Sequence, residues 1–336
     1  MKGGGPFRAT IVDCDLVPFS IEEQELAGVA ELAIWQCRTE EQVIEAAREA
    51  DALLVQYAPI TERVIASLLR CRVVARYGVG IDMIDLAAAR RHGITVCNVP
   101  HYCGEEVSDH ACALMLALAR KLEPLHRAVQ QGRWDVRVGR PMHRLTGQVL
   151  GLLGFGSVAR LVARKMRGFG MTIIACDPFV SRDLIAKEAV TAVSQEELFA
   201  RSDILSIHAA LASATLHLLG AKELRSLKQG AILVNTSRGG LIDENALLTL
   251  VSDGWLGGVG LDVLESEPPD PDHPLLRLEN VIVTPHAAYY SETSVEELKR
   301  QTARAAARVL KGQAPGEGDS FAIVKGNLVG QGRRGA

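Results

Sequence analysis

Along almost the whole of this 336-residue chain, short β-branched apolar runs alternate with helical patterns, and nothing else in the sequence narrows the choice of fold so far. ATIVDCD, ALLVQY, RVVARYG and ITVCNVP read as strands. TEEQVIEAAREA and DMIDLAAARRHG read as the helices between them, the first opening on Thr39 and Gln42 at capping-box spacing. Units of this kind cross over right-handed and build parallel sheets. A long helical stretch follows, GEEVSDHACALMLALARKLEPLHRAVQQG, with no strand signal. A second α/β series starts at Val149, with QVLGLLG, MTIIACD, DILSIHA, AILVNTS, GVGLDVL and VIVTP as its strands. From about residue 291 the pattern turns helical again, and the glycine-rich end reads as a tail.

Composition excludes several classes. A formal charge of −3 without a basic stripe predicts no nucleic-acid partner. No apolar run reaches the roughly 20 residues of a membrane span, and MKGGGPFRAT lacks the apolar core of a signal peptide. No membrane partner and a cytoplasmic location are therefore expected. The seven cysteines are odd in number and form no CxxC pair, so neither a disulfide framework nor a zinc site is expected. His101, Cys103 and His110 cluster in HYCGEEVSDH, but no second cluster accompanies them and no metal is expected. The run ACALMLALA is too apolar to face water. It predicts a helix in a core or a subunit interface, and with it a two-fold homodimer.

The strongest local motif is Gly154-Phe155-Gly156-Ser157-Val158-Ala159, a G-x-G-x-x-A between an apolar strand and a helix, with Asp177 ending the next strand 23 residues after Gly154. The first glycine permits a tight turn and the second lets the backbone approach a pyrophosphate. The helix N-terminus then offers free N–H groups and a partial positive charge. Asp177 would accept hydrogen bonds from ribose hydroxyls and repel a 2′-phosphate, so NAD is expected, although Arg182 lies only five residues on.

Three polar residues lie at strand ends, where ligands of open parallel sheets bind. Arg238 follows AILVNTS. A carboxylate follows GVGLDVL, with Glu265, Glu267 and Asp270 all open as candidates. His286 follows VIVTP, where Pro285 stops the strand and releases the histidine. Such a trio suits reduction of a 2-oxo acid: the arginine binds the carboxylate and polarises the carbonyl, the histidine supplies a proton, and the acid keeps that histidine charged.

Taken together, NTSRGGLID, LDVLESEPP and VTPHAAYYSE, with LLGFGSV and ARYGVGIDMID, resemble the D-isomer-specific 2-hydroxyacid dehydrogenase family in order and spacing over residues 10–312. VCNVP, EEVSD, LDVLESEP and HAAYYSE are most similar to its branch of C-terminal-binding proteins, NAD-binding transcriptional corepressors. The resemblance implies a Rossmann-type doubly wound parallel sheet domain, residues 101–289. This would be inserted into a smaller flavodoxin-like α/β substrate domain of residues 1–100 and 290–325, with 326–336 a flexible tail. It implies a catalytic triad of Arg238, Glu267 and His286, selecting Glu267 from the three acids. For the substrate it implies the Gly78, Val79 and Gly80 loop and Arg76, and Tyr57 and Tyr289 as pocket residues leaning toward an apolar side chain. For NAD it implies Gly154, Gly156, Ser157, Val158, Asp177, Ala209, Thr215, Thr236, Ser237 and Asp262, the last facing the nicotinamide carboxamide. It also implies a homodimer through the nucleotide domain, with the helix after Gly104 at the interface.

The chain departs from the family where many members carry His-x-Pro and it has His208-Ala209-Ala210, and at Tyr289, where the corepressor branch has tryptophan. No serine-binding regulatory domain is expected after the returning helix. The expected function is NAD-dependent interconversion of a 2-oxo acid and a D-2-hydroxy acid by hydride transfer, with His286 moving the proton. The alternative is an NAD(H)-sensing corepressor-like or peptide-binding module.

Overall fold

The computed structural model describes residues 6–313 and the backbone of two short paired strands, Ile323–Val324 and Asn327–Leu328. Most of the stretch expected as a tail, 326–336, lies outside the described residues. The chain divides into two compact units, Met1–Tyr102 with Ser291–Ala336, and Cys103–Tyr290.

The first unit holds a parallel sheet of β1 (Phe7–Asp13), β2 (Ala30–Ile34), β3 (Ala52–Val55), β4 (Val73–Arg76) and β5 (Thr95–Cys97), in the order β2-β1-β3-β4-β5. That is the flavodoxin-like order. Alternate residues feed two cores. Leu54, Val73 and Ala75 meet Leu298, Ala303 and Ala306 of the returning helix Glu292–Leu310, while Leu53, Val55 and Val74 meet Val43, Val64 and Ala88. The returning helix starts cleanly because Ser291 and Ser294 form a reciprocal cap.

The second unit holds β6 (Val149–Leu153), β7 (Thr172–Cys176), β8 (Thr191–Ala192), β9 (Ile204–Ile207), β10 (Ile232–Asn235), β11 (Gly258–Leu261) and β12 (Val281–Val283). All are parallel, in the order β12-β11-β10-β9-β6-β7-β8. The order reverses between β6 and β9, and this switch point opens the crevice in which doubly wound sheets hold nucleotides.

The apolar helix Gly104–Ala119 buries Ala111, Cys112, Leu114, Met115 and Leu118 in the core of its own unit. Of the two places expected for this run, core or subunit interface, the core is the one that covers these apolar side chains within one chain. The glycines of β11 explain the close seat. A Cβ on Gly258 would lie 3.1 Å from Leu118 Cδ2, and one on Gly260 would lie 3.1 Å from Leu114 Cβ. Among the described residues no helix is long and apolar enough to cross a membrane.

Candidate active site

The C-terminal ends of β10, β11 and β12 present the second unit's reactive side chains. After β10, Asn235 is fully buried and shapes the turn: its Oδ1 accepts the Ser237 N–H at 3.0 Å and its Nδ2 donates to the Arg238 carbonyl at 2.8 Å. Ser237 Oγ donates to the Ile207 carbonyl on β9 at 2.9 Å. The base of Arg238 is thus fixed to two strands, and its Nη1 donates to the Ser237 carbonyl. Asn235 is a residue that motif reading passed over; its signal was a polar side chain ending a fully apolar strand.

After β11, Glu267 Oε1 accepts the Leu264 N–H at 3.0 Å, and its Oε2 lies 2.6 Å from His286 Nδ1. Burial works to raise the Glu267 carboxyl. The hydrogen bond and charge of His286, the Leu264 amide and the Arg238 charge outweigh it and hold the group below the usual carboxylate range. Glu265 instead pairs with His217 at 2.8 Å, and Asp270 accepts the Asp272 N–H. Of the three acids open in the sequence, Glu267 is the one beside the histidine.

After β12, His286 adopts a left-handed backbone, φ +51°, which costs a non-glycine residue about 1–3 kcal/mol. Asp262, 1% exposed, compensates from beneath. The carbonyl of Asp262 accepts the His286 N–H at 2.8 Å. Its Oδ1 accepts Ala287 N–H at 2.8 Å and the Thr284 hydroxyl at 2.6 Å, while Oδ2 accepts Ala288 N–H at 2.9 Å. The carboxylate expected to face nicotinamide is thus directed at the loop that carries His286. Tyr289 stands edge-on to the His286 ring, with centroids 6.3 Å apart.

At the switch point the strand–turn–helix fits a dinucleotide. Gly154 has φ +90°, and a Cβ there would lie 2.7 Å from the His208 carbonyl. A Cβ on Gly156 would meet nothing within 4 Å, so space lies open over the first turn of helix Ser157–Arg167, which has no side-chain cap. Ser157 is exposed and Val158 half-buried there. Thr236 Oγ1 is buried without a hydrogen-bond partner, an orphan that a bound ligand would satisfy. Asp177 accepts the Phe155 and Phe179 N–H groups, both at 2.8 Å, and retains lone pairs for a ribose. Ala209 is half-buried beside this turn. Thr215 is turned inward: its hydroxyl donates to the Ala210 carbonyl and accepts the Ala212 N–H, closing its own loop. His208 is half-buried, with its ring 2.9 Å from Ser206 Oγ; desolvation of the imidazole pushes it down to about 4, so it is neutral at physiological pH.

The residues expected to bind substrate belong to the first unit, Tyr289 excepted. Arg76 is 7% exposed, and its guanidinium lies over Gly78, where a Cβ would come within 1.5 Å of Nη1. Asn98 Nδ2 donates to the Val79 carbonyl at 2.6 Å, steadying the turn to Gly80. Tyr57 is half-exposed. Asp13, also unremarked in the sequence, accepts the Gln56, Tyr57 and Ala58 N–H groups.

Comparison with known proteins agrees with this geometry. Residues 112–288 match the family described as D-isomer specific 2-hydroxyacid dehydrogenase, NAD binding domain. The chain is 38% identical over 293 residues to a glyoxylate reductase of Korarchaeum cryptofilum, covering 85% of this chain and 88% of that one. It is 35% identical over 290 residues to a D-3-phosphoglycerate dehydrogenase of Methanocaldococcus jannaschii, covering 86% of this chain but only 55% of the relative. It is also similar to the crystal structure of D-lactate dehydrogenase from Aquifex aeolicus complexed with NAD and lactic acid. The TM-score there is 0.81 at 26% identity, covering 91% of this chain and 96% of that one. These findings do not single out the C-terminal-binding protein branch, and nothing in them supports a corepressor role. The chain belongs to the D-isomer-specific 2-hydroxyacid dehydrogenase family and is an NAD-dependent oxidoreductase of 2-oxo and 2-hydroxy acids.

Proposed function

We propose that the enzyme interconverts a 2-oxo acid and a D-2-hydroxy acid, with His286 giving up the proton in reduction and accepting it in oxidation. The observation that carries this reading is the 2.6 Å contact between Glu267 Oε2 and His286 Nδ1, with Arg238 at the neighbouring strand end. Bound NADH supplies the hydride. Glu267 holds Nδ1, which leaves Nε2 as the atom that moves the proton. Arg238 takes the substrate carboxylate and polarises the reacting carbonyl. In the first unit the amides of Gly78, Val79 and Gly80, with Arg76, are proposed carboxylate binders. Residues Met1–Tyr102 with the returning helix would then serve substrate, and Cys103–Tyr290 the dinucleotide.

For NAD we propose Gly154, Gly156, Ser157, Val158, Ala209, Thr236 and Ser237, with Asp177 on the ribose. The orphaned Thr236 hydroxyl and the open space at Gly156 support this set. Tyr57 and Tyr289, each within its own unit, are proposed as residues that favour a substrate with an apolar side chain. The test is a panel of 2-oxo acids assayed with NADH, including glyoxylate, the substrate named for the Korarchaeum relative. Apolar 2-oxo acids should be reduced faster than glyoxylate, and His286→Ala should abolish most turnover. Near-normal turnover by that variant would sink the proposal.

We also propose a two-fold homodimer, through the helical stretch that follows Gly104. Leu122 and Val129 of helix Leu122–Gln130, and Trp134 and Val136 just beyond, are exposed; Trp134 is 90% accessible. Such a group is costly to leave in water.

A further inference from the structure

We infer that His110 is a positioning residue for the catalytic loop, acting on His286 through Thr284 and Asp262; this rests on the proposed role of His286. The helix Gly104–Ala119 runs over β11 in a regular register. Leu118 meets Gly258 and Leu114 meets Gly260. Two residues along a strand advance about 6.6 Å, and four along a helix about 6.0 Å. One more step of the same register pairs His110 with Asp262, on the same face.

The side chains bear this out. His110 Nε2 lies 2.9 Å from Thr284 Oγ1 and 3.6 Å from Asp262 Oδ1. The Thr284 hydroxyl has one proton and donates it to Asp262 Oδ1. It must therefore accept from His110, which fixes a proton on Nε2. The relay runs His110 Nε2–H to Thr284 Oγ1–H to Asp262 Oδ1. Asp262 in turn receives Ala287 N–H and Ala288 N–H, the two amides that follow His286. Those bonds, with His286 N–H on the Asp262 carbonyl, hold the left-handed turn at His286. His110 thus sets the rotamer of Thr284, Thr284 sets the carboxylate plane of Asp262, and that plane sets the backbone from which the imidazole projects. His110 is on a helix and touches none of the reacting groups, so it is a positioning residue and not a catalytic one.

The experiment compares the whole enzyme with His110→Ala, His110→Gln, Thr284→Val, the double variant His110→Ala/Thr284→Val, and His286→Ala. It measures kcat and KM for reduction, NADH affinity by fluorescence titration, and melting temperature. Loss of one hydrogen bond in the relay should lower kcat about tenfold in His110→Ala, with NADH affinity and KM within about twofold. Gln places an N–H donor near the position of Nε2 and should restore most of kcat. The double variant should be no slower than Thr284→Val alone, because both break one chain. Wild-type kcat in His110→Ala, with His286→Ala inactive, would overturn the inference alone. So would a Gln variant as slow as the Ala variant, or additive losses in the double variant. Retained turnover in His286→Ala would overturn the catalytic reading and the inference with it.

Discussion

Two adjacent glycines, Gly239 and Gly240, should respond in opposite ways to the same methyl group. A Cβ on Gly239 would lie 2.0 Å from the Leu264 carbonyl carbon, 2.1 Å from its oxygen and 2.4 Å from Glu265 N. All three are backbone atoms, and the nearest is roughly 1.4 Å inside the 3.4 Å at which ordinary contact begins, so one loop must move. Gly239 follows Arg238, and Leu264 anchors Glu267 through its N–H. The displacement therefore separates arginine from carboxylate. Overpacking of this kind costs about 1–3 kcal/mol, or about 2–4 °C of melting temperature per kcal/mol in a body of this size. A misplacement of about 1 Å at reacting groups costs on the order of 100-fold in rate. Gly240 differs because its Cβ would meet only the ends of Leu211 and Leu216, both at 3.4 Å. Gly240→Ala should be neutral or slightly stabilising, through the unfolded chain. Thermal melts and steady-state kcat/KM on both variants decide the matter. Wild-type melting and kcat/KM in Gly239→Ala, or equal damage in Gly240→Ala, would refute the steric argument.

Glu267→Gln removes the carboxylate that lies 2.6 Å from His286 Nδ1 and that this contact holds below its ordinary value. The loss of reductive kcat/KM at high pH should move to lower pH; superimposed pH profiles would exclude Glu267 as the partner. Because the folded-state value of Glu267 lies below its ordinary 4.5, its stabilisation is present above that pH and lost as pH falls through the folded value. The wild-type melting advantage over Glu267→Gln should therefore shrink in acid. Asp177 should make NADH preferred over NADPH by at least tenfold, about 1.4 kcal/mol, and Asp177→Ser should narrow the kinetic ratio; equal use of NADPH by wild type would refute the assignment. Light scattering should give about twice the 36.2 kDa chain mass, and Trp134→Glu with Val136→Glu should shift it toward monomer. A monomeric wild type at micromolar concentration would count against the dimer.

Ten of the twelve strands of the two main sheets were legible as apolar runs, most of them buried on both faces. The two that were not, AELAI and Thr191–Ala192, are β2 and β8, two of the four edge strands, one without a buried residue and one only two residues long. Legibility stopped at similar points in the site. Glu265, Glu267 and Asp270 are chemically alike in sequence, and only their partners, His217, His286 and the Asp272 amide, tell them apart. Likewise ACALMLALA is apolar nearly all round, so its periodicity cannot say what covers it. The answer lies about 140 residues away, in two glycines of β11 that let the helix lie against the sheet. Thr284 went unread for the same reason, and His110 stood out only beside His101 and Cys103, since the meaning of both is a partner distant in sequence.

The two units share one way of aiming a loop. In a parallel sheet all strands end on the same side, so the chain leaving one strand passes over the end of its neighbour with its N–H groups unpaired. A carboxylate at that neighbouring end meets several of them at once. Asp13 closes β1 and takes three amides after β3, the middle one that of Tyr57. Asp262 follows β11 and takes two amides after β12, those next to His286. For Asp13, burial raises the carboxyl and outweighs the three amides and the Arg76 charge, so it sits above its ordinary 3.8. An acid raised by folding binds protons more tightly in the native state, and its contribution to stability falls as pH rises through that window. At neutral pH the buried Asp13 is thus no net electrostatic gain to the fold. Its effect is on geometry: it locks the turn bearing Tyr57, as Asp262 locks the turn bearing His286, and the energy spent on each loop is spent on where one side chain points.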